Sequence, residues 1–217
     1  MPRSKASKAT PAGYSDRINH ALAFAAKHHD QQVRKGTRLP YLTHPANVAI
    51  ILTRYGCDEV TVVSGILHDV IEDCVTKDYT REMLEQRIAS KFGTEVLDTV
   101  LAVTHRSQND EGDEFSPEEV REDYLRRLKE ADVRARWVCA ADKVHNATSM
   151  LADIARTIEP DRIWARFKAG KAGTVWWYRA VYDRLEELGF DAPIMPELER
   201  TVKAVEKAGG AKVRAKR

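Results

Sequence analysis

No run of apolar residues in this chain approaches the roughly 18 to 20 needed to cross a bilayer. Residues 1–13, where Arg3, Lys5 and Lys8 stand among Ser, Ala, Thr and Pro, lack the apolar stretch of a secretory leader. A membrane-spanning or exported protein is thereby disfavoured, and this stretch reads as a disordered basic arm of a cytoplasmic protein. Cysteine is scarce: Cys57, Cys74 and Cys139 are an odd number with no short paired spacing. That argues against a disulfide framework and a thiolate zinc site and leaves them as small core residues. An excess of one charge is also missing, since the net charge is only +2 over 217 residues, which gives no general reason to expect nucleic acid as a partner. The basic end, Lys212, Arg214, Lys216 and Arg217, reads as a solvated terminus. Strand-like alternation, internal repeats and a glycine-rich phosphate loop are all lacking, which disfavours sheet, solenoid and P-loop architectures.

What the chain has is helical periodicity, with a 43% hydrophobic content that suffices for one full core. Helices are expected over 15–29, with Ser15 or Asp16 as N-cap, and from Pro45 onward, which suits a first helical turn. A central helix is expected from Glu59 through Asp73, and others over 81–91, ending at Gly93, and over 95–105. Further helices are expected over 118–129 and 133–151. The stretch 106–117 is rich in Asp, Glu, Ser, Asn and Gly and reads as an exposed loop. The late aromatic cluster, with Trp164, Phe167, Trp176, Trp177, Tyr178 and Tyr182, reads as core, with one aromatic or Arg179 as candidates to reach a pocket.

Chemistry concentrates in Gly65-Ile66-Leu67-His68-Asp69-Val70-Ile71-Glu72-Asp73. At 3.6 residues per turn, His68 lies over Glu72 and Asp69 over Asp73, so one helix face carries a histidine and three carboxylates. Ile66, Leu67, Val70 and Ile71 cover much of the remaining circumference, which marks a core helix rather than a solvated acidic end. Carboxylates in such a place need partners, and a cation would offset their repulsion.

Other stretches offer such partners. His44 precedes Pro45 at the mouth of a helix, where a capping or packed histidine is the ordinary alternative to a ligand. Asp142, Asn146 and Ser149 follow the i, i+4, i+7 pattern on a second core helix. His44, His68, Asp69 and Asp142 together form a nitrogen and oxygen set that suits Mn²⁺ or Fe²⁺ better than Zn²⁺ or Mg²⁺. Glu72 and Asp73 stand one turn beyond the proposed ligands, where they can move protons. The loop holding Arg34, Lys35, Gly36 and Arg38 is either a surface turn or a clamp for phosphate or a nucleobase. The whole suggests a metal-dependent phosphohydrolase.

The order of Arg34-Lys35-Gly36, Pro40-Tyr41-Leu42-Thr43-His44-Pro45, Leu67-His68-Asp69-Val70-Ile71-Glu72-Asp73, Phe92-Gly93 and Ala141-Asp142-Lys143-Val144-His145-Asn146 resembles the hydrolase domain of RelA/SpoT proteins. It is most similar to the stand-alone small alarmone hydrolases, relatives of the metazoan SpoT homologue. The resemblance implies an all-α HD-superfamily bundle over 14–190, followed by a C-terminal helix and basic tail over 191–217. It implies Mn²⁺ on His44, His68, Asp69 and Asp142, and catalysis by Glu72 and Asp73. It further implies cleavage of the 3′-pyrophosphate of guanosine tetraphosphate or pentaphosphate. Arg34 would stack on the base, Lys35 would contact phosphate, and Asn146 with Ser149 would meet sugar or base. No synthetase domain is legible, so a hydrolase alone is expected. Its partner would be a small nucleotide, with neither nucleic acid nor membrane involved and a cognate alarmone synthetase linked only through shared substrate.

Two departures bear on base identity. The long bifunctional enzymes have Arg-Lys-Ser-Gly where this chain has Arg34-Lys35-Gly36-Thr37-Arg38, and Met-Arg-Thr where it has Ala147-Thr148-Ser149. Adenosine alarmones and NADPH therefore stay open as substrates. An HD-type nucleotidase or phosphodiesterase is a rival reading, and a nucleotide-binding regulator or antitoxin is another, with the acidic loop from Asp110 to Glu114 as a partner surface.

Overall fold

The computed structural model describes residues 13–109 and 111–210. The expected arm, apart from Gly13, the basic tail from Ala211 onward, and Asp110 of the acidic loop lie outside the described residues. Eleven helices occur among those described: α1 (Asp16–His28), α2 (Thr43–Arg54), α3 (Glu59–Leu67), α4 (Val70–Asp73), α5 (Arg81–Phe92), α6 (Thr94–Val103), α7 (Pro117–Glu130), α8 (Val133–Arg156), α9 (Pro160–Trp164), α10 (Gly170–Glu187) and α11 (Met195–Ala208). The described residues contain no β-strand, only the isolated bridges Val33–Pro40 and Gln108–Glu114, so the all-α expectation is borne out.

Local chemistry sets the helix starts. The side chains of Ser15, Asp58, Thr80 and Ser116 accept from the backbone N–H of Ile18, Thr61, Met83 and Glu119. Glu119 returns the bond to Ser116 N–H, which completes a capping box in front of Pro117.

Helix α3 is the hub, packed against α1, α2, α6 and α8. Every residue from Thr61 to Leu67 is buried. Gly65 permits the closest of these contacts, because a Cβ there would stand 2.4 Å from Leu52 Cδ1 and 3.2 Å from Val48 Cγ1 on α2. The middle and last turn of α2 thereby seat against α3, and α8 packs on both.

Two expected helices end early. The central one is not continuous: α3 stops at Leu67, a turn carries His68 and Asp69, and α4 resumes at Val70. Glu72 and Asp73 each meet a different partner, His105 and Gln32. Helix α6 ends at Val103 instead of running to His105, because the guanidinium of Arg127 takes the carbonyls of Leu101, Ala102 and Thr104 at 3.0, 3.2 and 2.6 Å. Arg127 is itself held by the buried Asp123, which also binds Arg106 and Arg126.

Candidate metal centre

His44 from the first turn of α2, His68 and Asp69 from the turn after α3, and Asp142 from the middle of α8 converge. The donor atoms of His44, His68 and Asp142, all buried, lie within 4.8 Å of one another, an arrangement able to hold a metal ion. The two Nε2 atoms are 3.3 Å apart. Asp142 Oδ1 stands 3.2 Å from His44 Nε2 and 3.7 Å from His68 Nε2. Asp69 spans the pair, with Oδ2 at 3.3 Å from His44 Nε2 and Oδ1 at 3.1 Å from His68 Nε2.

The far side of each ligand is occupied. His68 Nδ1 lies 2.9 Å from the Gly65 carbonyl and so carries the proton there, leaving Nε2 to face the cluster as a lone pair. His44 Nδ1 is 2.7 Å from His145 Nδ1, and His145 Nε2 is 3.3 Å from Ser149 Oγ. Tyr41 donates its hydroxyl to Asp69 Oδ2 at 2.6 Å, and the buried Lys143 ammonium takes Asp142 Oδ2, which turns Oδ1 toward the imidazoles. Such outer contacts fix the orientation of metal-binding side chains.

The electrostatics call for a cation. Burial opposes protonation of His68, yet Asp69 and Asp142 beside it raise it to about 9. Burial would raise Asp142, but Lys143, His44 and His68 hold it well below the usual carboxylate range. Asp69 is likewise held low, by His68 and His44 against burial. Two carboxylates and two facing imidazole lone pairs thus compete for positive charge, which a proton or a divalent ion can supply. The mixed nitrogen and oxygen donors fit such an ion.

The cluster sits at the floor of a cleft of about 750 Å³. Glu72 Oε2 accepts from the backbone N–H of His105 at 2.9 Å and lies 3.0 Å from its Nδ1. Asp73 accepts from Gln32 at 3.0 Å, and its carboxyl is raised by burial and by the charge of Asp69. Arg34 donates to Asn146 Oδ1 at 2.6 Å and lies over the Tyr41 ring, 5.6 Å from its centroid. Asn146 donates in turn to Asp142. Lys35, Asn146 and Ser149 also line the cleft, so all the site residues expected from the sequence border this cleft or its floor.

The sequence reading missed several lining groups. Tyr41, Lys143 and His145 lie inside the quoted motifs, and their place beside the proposed ligands was the available signal. His105, Arg121, Arg166 and Lys168 stand outside them and gave none. Arg166 ties the cationic loop to α8, donating to Asp153 at 2.6 Å and to the Lys35 carbonyl at 3.5 Å. Of the late aromatics, Phe167, Trp177 and Tyr178 reach the cleft. Arg179 does not, because Glu206 on α11 holds its guanidinium through two contacts of 2.8 Å. The three cysteines are buried and free.

A helical bundle whose buried histidines and carboxylates meet from three segments at the floor of a cleft defines a protein with a candidate metal site. The chain belongs to the HD-domain family, whose model matches residues 21–175. The resemblance to RelA/SpoT hydrolase domains is borne out by its relatives. One is a GTP pyrophosphokinase of Myxococcus xanthus, 36% identical over 138 residues, a match covering 62% of this chain and 17% of that protein. Another is a guanosine-3′,5′-bis(diphosphate) 3′-pyrophosphohydrolase of Aquifex aeolicus, 38% identical over 91 residues, covering 42% of this chain and 12% of that protein. The matches thus span less than a fifth of the length of these curated relatives. Among solved structures, a metazoan orthologue of SpoT described as hydrolysing ppGpp superposes with a TM-score of 0.65 at 25% identity, covering 88% of this chain and 96% of that one. The protein lmo0812 of Listeria monocytogenes EGD-e superposes with a TM-score of 0.61 at 30% identity, covering 76% and 99%. No helix among the described residues is long and apolar enough to cross a membrane.

Proposed function

We propose that this chain is a Mn²⁺-dependent 3′-pyrophosphohydrolase of guanosine or adenosine alarmones, converting (p)ppGpp to GDP or GTP and pyrophosphate. The observation that carries the reading is the convergence of His44, His68, Asp69 and Asp142 beneath a cleft lined by Arg34, Lys35, Arg121, Lys143, Arg166 and Lys168. A cationic wall above a metal-binding floor suits a substrate with two phosphate groups. The printed activities of the Aquifex and metazoan relatives supply the substrate class.

Held by His44, His68, Asp69 and Asp142, Mn²⁺ would polarise the phosphorus centre and lower the pKa of a water molecule. Glu72, in the wall of the cleft, orients that water and accepts its proton. As the bond between phosphorus and the ribose 3′-oxygen breaks, the water oxygen stays with the pyrophosphate and the 3′-oxygen takes a proton. Asp73, whose carboxyl is raised, suits that donation. Arg34 stacks on the base, Lys35 meets phosphate, and Asn146 with Ser149 faces sugar or base. Tyr41 and Lys143 keep Asp69 and Asp142 from rotating.

The test is product analysis after metal-stripped protein is incubated with ppGpp, ppApp, NADPH, and 5′ and cyclic nucleotides, each with and without Mn²⁺. Mn²⁺-dependent pyrophosphate from ppGpp or ppApp is expected. Single phosphate from NADPH alone, faster turnover of 5′ or cyclic nucleotides, or no turnover at all would overturn the reading.

A further inference from the structure

His105 is the cleft residue with the most structure built around it and no part in the chemistry described so far. It lies just past the end of α6, on a segment pinned from both sides. Arg127 grips the Thr104 carbonyl at 2.6 Å, and Asp123 holds Arg106 through two contacts of 3.2 Å. The imidazole stacks on Tyr124, with centroids 4.6 Å apart and planes 19° apart, and Trp177 stands 5.9 Å away on its other contacts. Ring and backbone together leave His105 little freedom.

Both of its donors go to one atom. The backbone N–H and Nδ1 reach Glu72 Oε2 at 2.9 and 3.0 Å. A carboxylate has no proton to give, so Nδ1 must carry one. The second oxygen of Glu72 takes neither contact. Two donors on one oxygen fix the plane of the carboxylate, and such fixation matters because misplacement of a reacting group by about 1 Å can cost on the order of 100-fold in rate.

We infer that His105 is the positioning residue for Glu72, holding its carboxylate so that the free oxygen faces the water to be activated. The inference rests on the reading of Glu72 as the proton acceptor. It assigns a role to the Asp123–Arg127 pair as well, since that pair ends α6 where it does and thereby frees the His105 N–H for Glu72.

The deciding experiment has two arms on the full chain. In the first, long-range ¹H–¹⁵N spectra of ¹⁵N-histidine-labelled protein report the ring tautomer of His105. The Nδ1–H form is expected, reverting to Nε2–H in Glu72→Ala; an Nε2–H ring in the unaltered protein overturns the inference. In the second, His105→Ala is expected to lower kcat by about 10- to 100-fold with KM within about twofold. His105→Asn, whose amide N–H stands in for Nδ1–H, should restore most of the loss. Unchanged kcat in folded His105→Ala, or no rescue by Asn, overturns it. If the unaltered protein turns over no alarmone, the functional reading fails, and the tautomer arm still decides whether Glu72 and His105 form this unit.

Discussion

His145 faces His44 nitrogen to nitrogen, Nδ1 to Nδ1 at 2.7 Å. Burial, then the nearby His44 and Arg34, lower His145 to about 4, so it is neutral near pH 7 and can accept on Nδ1 from His44. In that tautomer His44 keeps its Nε2 lone pair aimed at the cluster. Replacing His145 with Phe should weaken Mn²⁺ binding by about 10- to 100-fold, the usual cost of losing an outer partner of a histidine ligand. Titration of the stripped protein with Mn²⁺, followed by calorimetry, measures it; unaltered affinity would refute the role.

Metal binding should also appear as stability. A ligand that binds only the folded chain adds about 2.7 kcal/mol at a hundredfold excess over Kd. For a chain of this size that raises Tm by about 5 to 11 °C. Asp142→Asn should abolish the rise in Mn²⁺ melting curves, since it removes the donor that contacts both imidazoles.

Loss of Asp69 or Glu72 should act on the rate rather than the fold. Alanine at either position is expected to lower kcat by about 100-fold or more, with circular dichroism unchanged. An alanine variant with full turnover in added Mn²⁺ would remove the residue from the mechanism.

Arg34 belongs to binding. Its guanidinium reaches Asn146 and lies over Tyr41, one side chain removed from Asp142 and Asp69. Arg34→Ala should raise KM by about tenfold, the equivalent of about 1.4 kcal/mol, with a smaller effect on kcat. Steady-state kinetics on the preferred alarmone separates the two constants.

The Asp123 cluster should set acid stability. Burial would raise this carboxyl, but Arg127, Arg126 and Arg106 outweigh it and hold it below the usual range. A depressed folded pKa means that the stabilisation is present above the unfolded value, about 3.9, and is lost as pH falls through the lower folded value. Asp123→Ala, which strands Arg127, should cost about 3 kcal/mol and lower Tm by about 6 to 12 °C near neutral pH. The difference from the unaltered protein should shrink in melts carried out at progressively lower pH.

The all-helical fold and the metal-binding floor were legible because both are written in local patterns. Apolar spacing placed most helices to within a few residues, and Ser15 and Gly93 begin and end helices as their chemistry suggests. The candidate ligands could be found because His68, Asp69 and Asp142 interrupt runs that are otherwise apolar. The break between α3 and α4 was not legible, since helical spacing continues through it in the sequence. His105 was hidden for a different reason: its position depends on Arg127, a contact made across two helices that no local pattern records. Arg166 and Trp177 were equally dependent on where α9 and α10 come to rest.

The close approach of α2 and α3 at Gly65 has one more consequence. The separation of the His44 and His68 rings depends on how closely the Val48 and Leu52 side chains of α2 seat against Gly65 of α3. The bundle thus sets the width of the candidate ion site, with the two rings as its jaws. A methyl group at position 65 would act as a shim, prising the jaws apart and shifting the preference toward larger cations without altering a single ligand.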